Sequence, residues 1–147
     1  NMALYRSVYG LRQEMAPIPF QAGAIITADF TYSFETVGLL AADKLELGVL
    51  PSGAKIVDAI LIPESLNGNA SVGLMSGEAG ANDAARTVGA DLWSATAVVS
   101  TPLRAALLTA FKVAASNVDR GIGYTTSADI VAGAGKRITL RLLYTMP

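Results

Sequence analysis

The stretch AIITADFTYSFET, Ala24 to Thr36, carries the clearest structural signal in the chain. Ile26, Ala28, Phe30, Tyr32 and Phe34 fall on one side of an extended chain, and Thr27, Asp29, Thr31, Ser33 and Glu35 fall on the other. Side chains alternate across a pleated strand, so this pattern predicts a half-buried antiparallel strand with one dry and one wet face.

Beyond it, KLELGVL places Leu45, Leu47 and Val49 on one side before a turn at Pro51–Gly53. AKIVDAILI is apolar and β-branched on both sides, which predicts a strand covered on both faces, with Asp58 as the one misfit. Asn67-Gly68 is a hairpin signal ahead of the strand ASVGLM, and the small polar run SGEAGANDAART predicts an exposed loop. Near the C-terminus, DRGIGYTTSADIVA and KRITLRLLYT are expected as two strands around the turn GAG, the second with Ile138, Leu140, Leu142 and Tyr144 on one face. Thr101 as N-cap, Pro102 at the first helical position and Leu103, Leu107 and Phe111 at helical spacing predict a short helix from Pro102 to about Ala110. The adjoining FKVAA fits a helix end or a strand equally well.

About seven or eight short strands with turn signals between them, one short helix and no strand-helix alternation predict a mainly β protein. The expected architecture is an antiparallel β-sandwich, jelly-roll-like, over residues 24–147. Residues 1–23 have neither period. They carry Tyr5, Arg6, Tyr9 and Arg12, end in APIPF with Phe20, and are expected as an extended N-terminal arm. Aromatic and Arg residues on such an arm suit contact with another protein.

The totals exclude several function classes. The 147 residues contain no Cys and no His, which removes thiolate metal sites, disulfides, the commonest general base and the usual partner of a Ser nucleophile. A formal charge of −1 gives no field to attract nucleic acid or an acidic membrane. With 52% apolar and 16% charged residues, part of the apolar excess is expected to meet other protein. No run approaches the roughly 18 apolar residues that span a bilayer, and no signal peptide leads the chain, so a soluble protein is expected.

Candidate chemical motifs fail on context. Ser52 and Lys55 have Ser-x-x-Lys spacing, yet they sit in a turn before a strand, where the two side chains do not share a face. Gly133–Arg137, GAGKR, lacks the earlier glycine and the following Ser or Thr of a phosphate loop and is expected to be a hairpin turn. Asn69–Ser71 has the glycosylation spacing without a secretion signal. Asp29, Glu35, Asp83, Asp91, Asp119 and Asp129 are dispersed and expected to be solvated or turn-capping, Asp119-Arg120 to be a pair or turn beside close-packing glycines, and Trp93 to lie in the core or an interface. An ionised Asp58 on a covered strand needs a salt bridge or a subunit contact. No catalytic residue, cofactor or metal ligand is assigned, and no enzyme activity is expected.

Three stretches, LELGVLPSGAKIVDAILI, LNGNASVGLMSG and DRGIGYTTSADIVAGAGKRITLRLLYT, together resemble the capsid decoration (cement, head-stabilising) proteins of tailed bacteriophages. The resemblance spans roughly Leu45 to Thr145 and rests on packing and turn features. It implies a jelly-roll subunit, commonly a homotrimer, on the outer capsid surface of the virion. There it stabilises contacts between major capsid proteins, with no direct nucleic-acid or membrane partner. Tyr5, Arg6, Tyr9, Arg12, Phe20 and Asp58 are the candidate protein-interface residues. The alternative is a glycan-binding β-sandwich module of a phage fibre or tail, which would use exposed aromatics.

Overall fold

The computed structural model describes residues 24–146. The expected arm, with Tyr5, Arg6, Tyr9, Arg12 and Phe20, lies outside them. Eight strands run in order: β1 (Ile25–Ser33), β2 (Leu45–Leu50), β3 (Lys55–Glu64), β4 (Asn69–Leu74), β5 (Trp93–Ala97), β6 (Leu103–Arg104), β7 (Arg120–Thr126) and β8 (Arg137–Thr145). One helical turn, α1 (Leu108–Phe111), lies between β6 and β7. The strands form two four-stranded antiparallel sheets, β1-β8-β3-β6 and β2-β7-β4-β5. From β1 to β8 the chain crosses repeatedly between sheets, which is the jelly-roll winding of a β-sandwich.

The alternation in Ala24–Thr36 becomes β1, paired residue for residue with β8 from Ile25 opposite Thr145 to Ser33 opposite Arg137. Because β1 is an edge strand, its apolar side is only partly covered: Phe34 is buried, Ala28 and Phe30 are half-buried, and Ile26 and Tyr32 remain 43% and 38% exposed. Its neighbour β8 is central, and there Ile138, Leu140 and Leu142 are fully buried as expected.

In β2 a register shift between Glu46 and Gly48 adds a residue to the strand and reverses the phase of the residues beyond it. Leu47 and Leu50 therefore point inward while Val49 is only half-buried, a correction to the simple alternation. In β3 only one face, Ile56, Ala59, Leu61 and Pro63, is buried; the other, with Ile60 and Ile62, is half-covered rather than enclosed. Pro63 is tolerated because β6 pairs only with Ile60 and Leu61, leaving that end of β3 with no second neighbour to receive its missing N–H.

Three local expectations are overturned by the winding. Asn67-Gly68 does not close a hairpin: β3 and β4 belong to different sheets, and Gly68, at φ 77, turns the chain across the sandwich. Gly133–Arg137 likewise carries the chain from β7 in one sheet to β8 in the other. The helix expected at Pro102 begins only after Leu107, because Leu103 and Arg104 add to β3 and the Ala105 N–H bonds Ala59 O at 2.8 Å. A sheet ladder already satisfying these backbone groups outweighs the local helix signal. FKVAA is neither option in full: Phe111 ends α1, and the residues after it are irregular, with Val113 turned into the core.

The run SGEAGANDAART is largely exposed, as expected, but it does not project from the sandwich. Residues 76–91 fold back as a flap over the outer face of the second sheet, bridged at Met75–Val88 and bonded from Gly89 N–H to Leu74 O at 2.9 Å. The sheet beneath is floored with glycine. A Cβ on Gly73 would stand 2.5 Å from the carbonyl carbon of Gly89, one on Gly123 would stand 2.6 Å from Val88, and one on Gly121 would meet Glu46 and Arg86. So β7, not β3, is the strand enclosed on both faces: Gly121, Ile122, Gly123 and Tyr124 are all buried.

Arg86 pins the flap. It is 4% exposed, ion-paired to Glu46, and donates from Nε to Ser76 O at 2.8 Å and from Nη1 to Ala81 O at 2.9 Å. Lys44 Nζ donates to Ala84 O and Arg86 O, and the Gly80 N–H donates to the second oxygen of Glu46. Gly73→Ala sets a methyl against backbone and is expected to cost about 1–3 kcal/mol in denaturant melts, more than Gly123→Ala, whose neighbours are movable side chains. Glu46→Ala strands the Arg86 guanidinium without its counter-charge, so it should lower the melting temperature more than Arg86→Met and speed proteolysis within residues 76–91.

Candidate interaction surfaces

The outer face of the first sheet is a lattice of paired charges. Asp29 on β1 takes both nitrogens of a bidentate fork from Arg141 on β8, at 2.9 and 3.0 Å. Arg137 stands between Glu35 at 3.0 Å and Glu64 at 3.5 Å, and Thr31 bonds Thr139 across the strands at 3.0 Å. Between these pairs lie the half-buried Ile60 and Ile62.

Asp58 belongs to this face. The β3–β8 register shifts between Ile56 and Asp58, and the extra residue turns Asp58 outward, opposite Leu143. Its Oδ1 accepts from Arg104 Nε at 3.1 Å and from the Ala59 N–H at 2.9 Å. The ion pair that an acidic residue in this strand requires is therefore present, with Asp58 19% and Arg104 72% exposed. Of the candidate interface residues, Asp58 alone falls within the described residues; Tyr5, Arg6, Tyr9, Arg12 and Phe20 lie outside them.

Five other aspartates accept backbone N–H groups of turns, loops or, for Asp91, of β4. Asp43 accepts the Leu40 N–H, Asp129 the Ala41 N–H, Asp119 the Ser52 N–H, Asp83 the Ala85 N–H and Asp91 the Leu74 N–H. Asp119 and Arg120 do not pair with each other, since Arg120 donates instead to Ala114 O at 2.8 Å. Lys136 Nζ closes on Val131 O within its own loop at 2.7 Å, so the GAGKR turn offers no free lysine to a phosphate. Among the described residues no side-chain bond joins Ser52 to Lys55, and no group of three acidic side chains is placed to hold a metal.

An open cleft of about 480 Å³ lies between the flap and the start of β2, lined by Asp43, Lys44, Glu46 and Arg86 among others. Each of these charges is already bonded to another or to backbone. Trp93 and Tyr124 are 3% and 0% exposed, inside the core, and burial pushes the Tyr124 phenol up to about 12. The Arg86–Glu46 anchor is not legible as a site in the sequence. Its only signs there are an arginine in a small-residue run and an outward glutamate facing the Gly-x-Gly of β7.

Hydrogen bonding from Arg141 holds the Asp29 carboxyl below the usual range, and bonds from Arg137 and the Gly135 N–H do the same for Glu35. Both pKa values are lower folded than unfolded. Their contribution is therefore complete above the unfolded carboxylate range, about pH 4–4.5, and is lost as pH falls through the folded values. Asp29→Asn with Glu35→Gln is expected to lower stability at pH 7 while changing little below the folded values, so that the acid limb of a stability-versus-pH curve flattens. That difference should shrink in 1 M salt, where screening acts over about 3 Å; an unchanged acid limb would show that the pairs contribute nothing.

No protein-family model and no curated protein matches the chain. Solved structures do. A chain in the acid-stable capsid of Helicobacter pylori bacteriophage KHP30 shares the fold at 15% identity and TM-score 0.51, over 84% of this chain and 88% of that one. One in the capsid asymmetric unit of cyanophage Pam1 does so at 17% identity and TM-score 0.63, over 99% and 100%. A chain in the capsid of Ralstonia phage GP4 is 32% identical over 92% of each chain, with TM-score 0.76. With that identity over nearly its whole length, this chain belongs to the family of the Ralstonia phage capsid protein and is a structural protein of a bacteriophage virion.

Proposed function

We propose that the chain is a decoration protein that sits on the outer surface of the phage shell and holds neighbouring major capsid subunits together, acting as a homotrimer. The observation that carries this reading is the 32% identity with a phage capsid chain over 92% of both lengths. The character of the fold supports it. Many of its described charges are matched to one another and to backbone groups, as in the Arg86–Glu46 anchor and the lattice around Arg137 and Arg141.

In this reading Tyr5, Arg6, Tyr9, Arg12 and Phe20 are contacts of the arm ahead of β1, and Asp58 with Arg104 marks a further contact on the first sheet. The mechanism is mechanical. Each subunit adds buried interface, about 1,200–2,000 Å² for a stable contact, and many copies resist outward pressure on the shell together. A glycan-binding role needs exposed aromatic platforms, and Trp93 is in the core.

Deleting residues 1–20 is expected to leave the thermal transition within a few degrees of the full chain and to abolish co-sedimentation with emptied phage heads. Undiminished sedimentation of the truncated protein would overturn the arm's role, and a monomeric mass at micromolar concentration would overturn the trimer.

A further inference from the structure

The two sheets have four edges, and three of them are blunted. β6 has two residues. β5 has five, with Ala95 forced to φ 43 and the ladder shifted between Ala70 and Val72. β2 is broken by its shift between Glu46 and Gly48. These are the devices that keep sheet edges from recruiting another strand.

β1 has none of them. It runs nine residues, IITADFTYS, in unbroken register with β8, and contains no Pro, Gly or Lys. Its one charge, Asp29, is occupied by Arg141. Among the described residues its backbone makes no bond beyond β8. β-branched and aromatic residues dominate it, so it is suited to extending the sheet by one strand.

Charge and chain direction select the occupant. A second copy of β1 laid in register, parallel or antiparallel, would place Asp29 beside Asp29, each already held by its own Arg141, and would gain no complementary charge. A hairpin made by the chain's own preceding residues would contain Pro17 and Pro19, which restricts it to the one phase in which both face away from β1. A partner of different sequence, with an uncharged or basic residue facing Asp29, fits best. Residues 1–23 join the chain at the start of β1, so a protein that binds them lies next to this edge.

We infer that the free edge of β1 receives an extended strand of the major capsid protein, joining the two proteins through a shared sheet. This inference rests on the decoration reading. The test is hydrogen exchange of the full chain, free and bound to emptied heads. On heads the amides of residues 25–33 should slow by about tenfold or more, while those of residues 93–97 at the β5 edge stay unchanged. A full-length variant with Thr27→Lys and Thr31→Lys, which blunts the edge on its exposed face, should keep its melting temperature within a few degrees and bind heads about tenfold more weakly.

Bound protein with unprotected β1 amides would overturn the inference and leave the decoration reading standing. Protection in the free protein that rises with concentration would assign the edge to a second copy, and protection in the free protein that is lost on removing residues 1–23 would assign it to the chain's own arm; either overturns it. A full chain that fails to sediment with heads would overturn the decoration reading itself.

Discussion

The buried guanidinium of Arg86 is the constraint on which much of the second sheet depends. A cation that is 4% exposed needs its counter-charge and hydrogen-bond acceptors, and Glu46 on β2 supplies the first while Ser76 O and Ala81 O of the flap add the second. To reach them the flap must lie against the sheet, and it can do so only because Gly73, Gly121 and Gly123 leave the floor bare. Charge, loop path and glycine placement are thus one requirement expressed at three places in the sequence.

The first sheet is organised differently. Its inner face holds the core through Ile138, Leu140 and Leu142 of β8 and Ala59 and Leu61 of β3, and its outer face carries exposed ion pairs. Such pairs add little to stability individually, but they fix which residue faces which across β1, β8 and β3. A sheet with specified register on one flank and an unblunted edge on the other has a defined geometry to offer a neighbour.

Much of the fold was legible because alternation is a local property. The two-residue period of Ala24–Thr36 and Arg137–Thr145 depends only on one dry and one wet face, and both form strands, with the expected face buried in β8 and only partly covered in β1. What failed was what the winding decides. Asn67-Gly68 and Gly133–Arg137 have the residues of hairpin turns, yet a jelly roll sends each across the sandwich, and that choice is made by distant strands. Leu103 and Arg104 lost their helix to β3 for the same reason. Asp58 was visible as an anomaly, but its partner Arg104, 46 residues away, was not. The flap reads as loop because a single sequence does not say that a glycine-rich strand elsewhere provides its seat.

The pairing of β1 with β8 also governs when the molecule can exist. Asp29 and Arg141 are 112 residues apart, so β8 leaves the ribosome long after β1, its partner in the first sheet. Until then β1 and β3 lack the neighbour that joins them, and no native-like first sheet can close. Folds dominated by such remote contacts meet their loop-closure entropy late and fold slowly. Synthesis is therefore succeeded by a concentration-sensitive interval in which the unfinished sheet is open to every other unfinished sheet nearby.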